Sequence, residues 1–204
     1  MVTGLGASLT TKAGVAAMSD NGQYAGVTFR NLIVSNFWDG FEVYGWNADT
    51  YGFNTVLMEN CEAHHNLNAG GQTWAQAVGG ISNMIVRGCW FHDNYGDPTL
   101  TKNTGNGFVF GGVVGGLIER CVAHDNGGAG NATAGPAGLW AYSCRNITIQ
   151  LCESYRNQAK YQDGDGFDLD IDTSNSLIQY CYAHDNYGAG FLLCTFITAR
   201  SANC

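Results

Sequence analysis

The sequence predicts an all-β chain that folds as a right-handed parallel β-helix of about seven turns. A ten-residue segment recurs along the 204-residue chain, and short stretches between its copies alternate apolar and polar residues. Alternation with a period of two is typical of strands, and no stretch of convincing length has helical periodicity. Strands this short cannot bury a face alone, so the copies are expected to stack with one copy in each turn.

The repeated segment is centred on a cysteine. Its five full copies are Leu57–Asn66, Ile85–Asn94, Leu117–Asn126, Thr148–Asn157 and Leu177–Asn186. A cysteine that recurs with the repeat is interpreted as a small buried residue, so we predict an unpaired cysteine ladder. The members of the ladder are Cys61, Cys89, Cys121, Cys152 and Cys181, whereas Cys144, Cys194 and Cys204 fall outside it.

Two more positions recur within the segment. An asparagine follows each cysteine by five residues, and a histidine follows it by three residues in four of the five copies. The asparagines are expected to tolerate left-handed backbone at a turn and to pass amide hydrogen bonds between turns. The spacing of the histidines matches no zinc site. We therefore predict that they form a stacked column that stabilises the turns. These histidines are His64, His92, His124 and His184.

A second motif, which ends in Gly-Phe or Gly-Leu, opens an alternating strand. Its copies begin at Asp39, Asn106, Ala137, Asp165 and Ala189. Counting back from each cysteine places Val109, Trp140 and Asp168 in one outward column. The same count places Tyr142 beside Asp170.

Three further expectations concern the register and the start of the chain. Glu42 and Tyr44 occupy the same two outward columns four turns before Asp168. Before Cys89, the corresponding strand is expected at residues 76–80, with Gln76 at the position of Phe108. Residues 1–23 have weak patterning and are expected to form an irregular first turn or a cap.

Composition limits the function. Apolar residues make up 45% of the chain, which is enough for one domain over residues 1–204. The net charge is −8 and only 13% of residues are charged, so no basic stripe exists for nucleic acid. Such a chain could bind neutral sugars directly, or anionic sugars through a bridging Ca²⁺. No apolar run is long enough to span a membrane, and residues 1–20 show no signal peptide. Because the chain starts and ends abruptly, we expect a fragment of a longer chain.

The densest acidic segment runs from Tyr161 to Asp172. From Phe167 to Ile171 it alternates apolar and acidic residues, which predicts a strand with one buried face and one acidic face. The Cα atoms of Asp168 and Asp170 then lie about 7 Å apart on the outward face. This distance is near the carboxyl separation of inverting glycoside hydrolases.

Two other interpretations of the acidic segment stay open. Four carboxylates on a glycine-rich loop are the ligand type that Ca²⁺ prefers, so a Ca²⁺ site is a rival prediction. Its ligands are Asp163, Asp165, Asp168 and Asp170. A solvated acidic face is the simplest alternative, although adjacent outward carboxylates repel one another.

Four side chains near the acidic segment complete the candidate site. Trp140 and Tyr142 could stack a sugar ring, or could be half-buried under the glycine-rich segment at residues 127–135. His184, one turn beyond the acidic strand, and Lys160, just before it, are the candidate catalytic bases. Alternatively, His184 is an ordinary member of the stacked histidine column, and Lys160 is an ordinary surface charge.

The recurrent Cys-x-Ala-His-Asp-Asn and Asp-Gly-Phe-Asp segments resemble right-handed β-helix proteins of the pectate lyase-like superfamily. The stretch from Thr104 to Gly112 is similar to one in family 9 polysaccharide lyases, in which the residue after Gly-Phe is the catalytic lysine. Here that residue is Val109, which departs from the family's pattern. The resemblance implies an extracellular or cell-surface protein that acts on an acidic, pectin-like polysaccharide, and we expect it to act as a monomer.

The sequence therefore supports two hypotheses. The first is a polysaccharide lyase or glycoside hydrolase whose site includes Asp168, Asp170, His184 and Lys160. The second is a non-catalytic β-helix for glycan binding, adhesion or surface scaffolding, stabilised by Ca²⁺. A base within hydrogen-bond reach of the Asp168 and Asp170 face favours the enzyme, whereas a face that holds only acidic and apolar residues favours the scaffold.

Overall fold

The computed structural model describes residues 1–5, 12–129 and 135–194, and in these ranges the chain winds into a parallel β-solenoid. The described residues form twenty strands, numbered here in chain order, which belong to three parallel sheets. In the described part of the chain, no helix has the length and apolarity needed to span a bilayer.

The three sheets are named A, B and C. Sheet A contains β1 (Val2–Thr3), β4 (Ile33–Ser35), β7 (Glu62–His64), β10 (Trp90–His92), β13 (Val122–His124), β16 (Glu153–Tyr155) and β19 (Tyr182–His184). Sheet B contains β2 (Val15–Ser19), β5 (Asp39–Gly45), β8 (Ala69–Ala75), β11 (Asn106–Gly111), β14 (Ala137–Tyr142), β17 (Asp165–Leu169) and β20 (Phe191–Leu193). Sheet C contains β3 (Gln23–Arg30), β6 (Gly52–Glu59), β9 (Ile81–Arg87), β12 (Val113–Glu119), β15 (Arg145–Gln150) and β18 (Leu177–Gln179).

Each turn of the solenoid adds one strand to each sheet, in the order B, C, A. Strands β2 to β19 make six full turns in the described residues, with β1 and β20 adding to the two ends. The predicted all-β solenoid is thus confirmed, with a turn count close to the predicted seven. Residues 15–23 were expected to be irregular, but they enter β2 and β3 and pair with β5 and β6.

The core lies between the three sheets and consists of stacked inward side chains. Phe108, for example, is 1% exposed, and its ring centroid lies 5.0 Å from that of Phe91. The register of the strand before Cys89 was predicted wrongly, because Gly71 rather than Gln76 pairs with Phe108. A side chain at Gly71 would meet the ring of Phe108, which fills that space. The Gly-Phe signal is therefore missing from this turn.

The cysteine ladder is confirmed. All five predicted members are free thiols, and Cys61 N–H donates to the sulfur of Cys89 at 3.4 Å, as do equivalent amides in later turns. Outside the ladder, Cys144 is also free and buried, whereas Cys194 is disulfide-bonded. Cys204 lies outside the described residues.

The asparagines form a second ladder inside the turns between sheets A and B. The side-chain amide of each donates to the Oδ1 of the next, and these N–O distances are 2.9 to 3.0 Å. The left-handed backbone was expected at the asparagine, but it occurs one residue earlier, as at Asp125, where φ is 54°. The asparagine itself does not have left-handed backbone, and its side-chain amide reaches the asparagine of the next turn.

The predicted histidine column is also confirmed as a stack. The rings of His92 and His124 are 4.9 Å apart at 6°, and Tyr155 continues the stack at 4.8 Å from His124. His64 and His184 occupy the two ends. These rings stabilise one outer face of sheet A by contact between turns.

Steric crowding between turns explains the glycine of the second motif, and its replacement should lower the stability of the fold. A Cβ at Gly107 would collide with the carbonyl oxygen of Gly138 in the next turn and would lie 3.1 Å from the Cβ of Ala123. We expect Gly107→Ala to lower the free energy of unfolding by about 2–3 kcal/mol, measured by denaturant melts. Gly22→Ala is the control, because its nearest neighbour would be 3.7 Å away. Equal stabilities of the two variants would contradict this steric account.

Candidate functional site

The outer face of sheet B carries the residues that the sequence singled out. Its register confirms the predicted column, because Trp140 pairs with Val109 on one side and with Asp168 on the other. Glu42 lies in the same column, because Glu42 pairs with Gln72 and Gln72 pairs with Val109. Alternation along each strand therefore predicted correctly which side chains share this face.

The acidic strand is shorter than predicted. Strand β17 ends at Leu169, so Asp170 lies just beyond it, and Ile171 is 40% exposed rather than buried. Asp172 has left-handed backbone, and its carboxylate pairs with the Arg145 guanidinium at 2.8 Å. The turn at residues 170–172 removes Asp172 from the outer face of sheet B.

Asp168 is the most perturbed of the described acids around β17. Its side chain is only 6% exposed, and its Oδ1 atom is excluded from solvent and has no hydrogen-bond partner among the described residues. Burial, followed by the charges of Asp170, Asp165 and Asp163, raises the pKa of Asp168 to about 8. A buried carboxyl without a partner is expensive to ionise, so Asp168 is protonated at neutral pH.

The neighbouring acids have backbone partners. Ala189 N–H donates to Asp165, and burial raises the pKa of Asp165 to about 6. Ile171 N–H donates to Asp170 Oδ1 at 2.6 Å, while burial still raises the pKa of Asp170. Gly135 N–H donates to Asp163. At neutral pH, protonated Asp168 thus lies close to Asp165, which is still mostly ionised.

The four predicted Ca²⁺ ligands cluster without forming a cage. Three of them already accept a backbone hydrogen bond, and no three histidine, cysteine or acidic side chains converge on a metal position in the described ranges. Ca²⁺ binding therefore stays a prediction.

Trp140 and Tyr142 differ in accessibility. Trp140 is 5% exposed, and its Nε1–H donates to Asn106 Oδ1 at 3.0 Å, so its ring is not free to stack a sugar. This outcome matches the alternative interpretation of a covered aromatic. Tyr142 is half-buried, with its ring 5.4 Å from that of Trp140.

The two candidate bases lie elsewhere. His184 belongs to sheet A, where one ring nitrogen lies 2.8 Å from Asp185 and the other 3.2 Å from Glu153. Lys160 is exposed, with its Nζ 5.2 Å from the centre of the Tyr161 ring. It lines a cavity of about 400 Å³ whose described walls do not include Asp168 or Asp170. The structure therefore places His184 on a different sheet from the acids, and it places Lys160 against Tyr161 at the edge of this cavity.

Sequence reasoning missed a second acidic pair on the same face, Asp39 and Glu42. Asp39 is fully buried and accepts hydrogen bonds from Asn68 at 2.9 Å and Gln72 at 2.7 Å. Burial, together with a hydrogen bond and charge from Glu42, raises the pKa of Asp39 well above its usual range. The signal was present, because Asp-Gly-Phe followed by an acid occurs at Asp39 and again at Asp165.

Comparisons agree with this architecture. A family profile described as "right handed beta helix region" matches residues 13–192, which is most of the chain. No curated protein and no solved structure matches the chain. The solenoid of three parallel sheets, its stacked ladders and this match together show that the chain belongs to the right-handed β-helix family.

Proposed function

We propose that this β-helix hydrolyses a polysaccharide at the Asp168 and Asp170 end of sheet B. The observation that carries the proposal is Asp168, whose solvent-excluded Oδ1 atom has no hydrogen-bond partner among the described residues, and whose pKa of about 8 lies above the pKa of about 6 of its neighbour Asp165. Pairs of carboxyls whose environments push their pKa values apart are typical of acid and base partners in catalysis.

The two carboxyls suit the inverting reaction. Asp168 donates its proton to the glycosidic oxygen as the bond from the anomeric carbon to that oxygen breaks. Asp170, partly exposed, accepts a proton from the water that attacks the anomeric carbon from the opposite side. Asp165 keeps a negative charge nearby, which favours the cationic transition state.

Elimination has less support than hydrolysis. A lyase needs a base beside the sugar, and the resemblance to family 9 places Val109 where that family has its lysine. His184 pairs with Asp185 and Glu153 on sheet A rather than with the acids.

A non-catalytic glycan-binding scaffold is the second candidate. It is favoured by the burial of Trp140 and of the Asp168 Oδ1 atom, since both limit what a substrate can touch. It also accords with a face that is mostly acidic and apolar.

The products of incubation with polysaccharides test these alternatives. Hydrolysis is expected to release new reducing ends without ultraviolet-absorbing unsaturated sugars. Unsaturated products would show a lyase instead, and binding without any product would leave the scaffold. The panel should include polygalacturonate with and without Ca²⁺, because the resemblance implies that polymer and the acidic loop predicts that ion.

The pH dependence of kcat/KM gives a second prediction. We expect activity to fall as pH rises through about 8, because Asp168 then loses the proton that it must donate. On the acid side, activity should fall as Asp170 becomes protonated, above the usual range for an aspartate because burial raises its pKa. Circular dichroism at each pH separates this titration from unfolding. A rate that keeps rising above pH 9 would contradict the assigned acid.

A further inference from the structure

A strip of aromatic side chains runs along the outer face of sheet B, beside the column that holds Asp168. Tyr44 pairs with Trp74 in the adjacent strand, and their ring centroids lie 6.4 Å apart in an edge arrangement. Met18 pairs with Tyr44 on the other side and is 49% exposed. Trp74 is 39% exposed, so the strip presents aromatic and apolar surface to solvent.

Tyr142 extends this strip toward the acids. It pairs with Gly111, which has no side chain, and a Cβ at Gly111 would lie 2.6 Å from the Tyr142 hydroxyl oxygen. The Tyr142 ring therefore covers the position of Gly111 and leans toward Trp74. The strip ends beside Asp170.

The charge on this face is of one sign. The seven described strands of sheet B contain no Lys, Arg or His, whereas they contain Asp39, Glu42, Asp165 and Asp168. At neutral pH Asp165 keeps its charge, so a chain of uronates on this face would meet a carboxylate and would find no cationic partner from these strands. A pyranose without charge, in contrast, can place its C–H face on an aromatic ring and its hydroxyls on carboxyls and amides.

We propose that the strip of Met18, Tyr44, Trp74 and Tyr142 binds an uncharged polysaccharide along the solenoid axis. This inference deepens the proposed function and rests on it for the position of the bond that is cleaved. It replaces the acidic, pectin-like substrate that the sequence resemblance implied. Trp74 is the anchor of the strip because it combines the largest ring with the greatest exposure among the three aromatic residues.

Native affinity electrophoresis tests the inference directly. The gels contain a soluble glucan, a xylan, a mannan, a galactan or polygalacturonate, the last with and without Ca²⁺. We expect at least one uncharged polymer to retard the chain, and Trp74→Ala to weaken that binding by roughly tenfold or more. Trp90→Ala is the matched control, because Trp90 is 55% exposed but lies on sheet A. Trp74→Phe should recover part of the affinity.

The outcomes separate this inference from the proposed function. Retardation that depends on Trp74, with no hydrolysis of that polymer, would support the strip and overturn the hydrolase. Hydrolysis or retardation of polygalacturonate alone would overturn the uncharged substrate while leaving the hydrolase intact. Binding to none of the polymers, or equal losses in Trp74→Ala and Trp90→Ala, would overturn the strip. Thermal melts of each variant show whether a loss of binding reflects a loss of fold.

Discussion

Asp168→Asn is expected to lower kcat by about 10²- to 10⁴-fold, because an amide cannot donate the proton that the leaving oxygen requires. The same change should stabilise the fold at high pH. The pKa of Asp168 is raised from 3.8 to about 8, so its protonated form contributes stability in full below pH 3.8, and that contribution is lost as pH rises through about 8. At pH 9 the free energy of unfolding of the variant should exceed that of the wild type by about 2–5 kcal/mol, and at pH 4 the two should be nearly equal.

Asp172→Asn is the control for this prediction. Asp172 belongs to the same acidic segment, but it is 55% exposed and pairs with Arg145 outside the site. A surface ion pair of this kind contributes about 0–1 kcal/mol, so its loss should change neither the rate nor the pH dependence of stability. Opposite signs of the two effects at Asp168, lower activity and higher stability, are the signature of a strained functional acid. Full activity in Asp168→Asn would refute its role as the acid.

The fold is predictable from the sequence because every turn repeats the same constraints. Cys121, Asn126 and the Gly107-Phe108 pair each occupy a fixed place in the turn, so their spacing sets the register of neighbouring turns. The prediction failed at the turn before Cys89, where Gly71 replaces the aromatic marker and the ring of Phe108 fills the space. A repeat thus predicts strands well where its marker residues are present.

The site is less predictable, because alternation specifies the face of a side chain but not what covers it. Asp168 and Trp140 lie on the predicted outer face, yet both are almost completely buried. Burial on an outer face depends on loops that strand periodicity does not encode. His184 shows the same limit: it was expected one turn beyond the acidic strand, but β17 and β19 belong to the same turn and to different sheets.

The asparagine ladder should be the most sensitive point of the fold. Asn126 is fully buried, and its amide donates to Asn157 Oδ1 at 2.9 Å and to the carbonyl oxygen of Phe91 at 3.0 Å. Its Oδ1 accepts from both the backbone and the side chain of Asn94. Asn126→Ala removes these four buried hydrogen bonds and leaves the Asn94 backbone N–H without its acceptor, while Asn94 Nδ2 keeps Ala63 and Asn157 Oδ1 keeps the backbone N–H of residue 126. Each lost buried partner costs about 1–3 kcal/mol, so we expect the free energy of unfolding to fall by about 3–5 kcal/mol.

Denaturant melts of Asn126→Ala beside Asn21→Ala measure this effect. Asn21 is exposed, and its side chain accepts one hydrogen bond, from Tyr24, so its replacement should change stability by less than about 0.5 kcal/mol. Because the ladder joins successive turns, its loss at Asn126 should also make unfolding less cooperative, with the denaturant slope reduced along with the midpoint. A loss at Asn126 no larger than at Asn21 would mean that stacked side chains in the core, rather than the amides, hold the turns together.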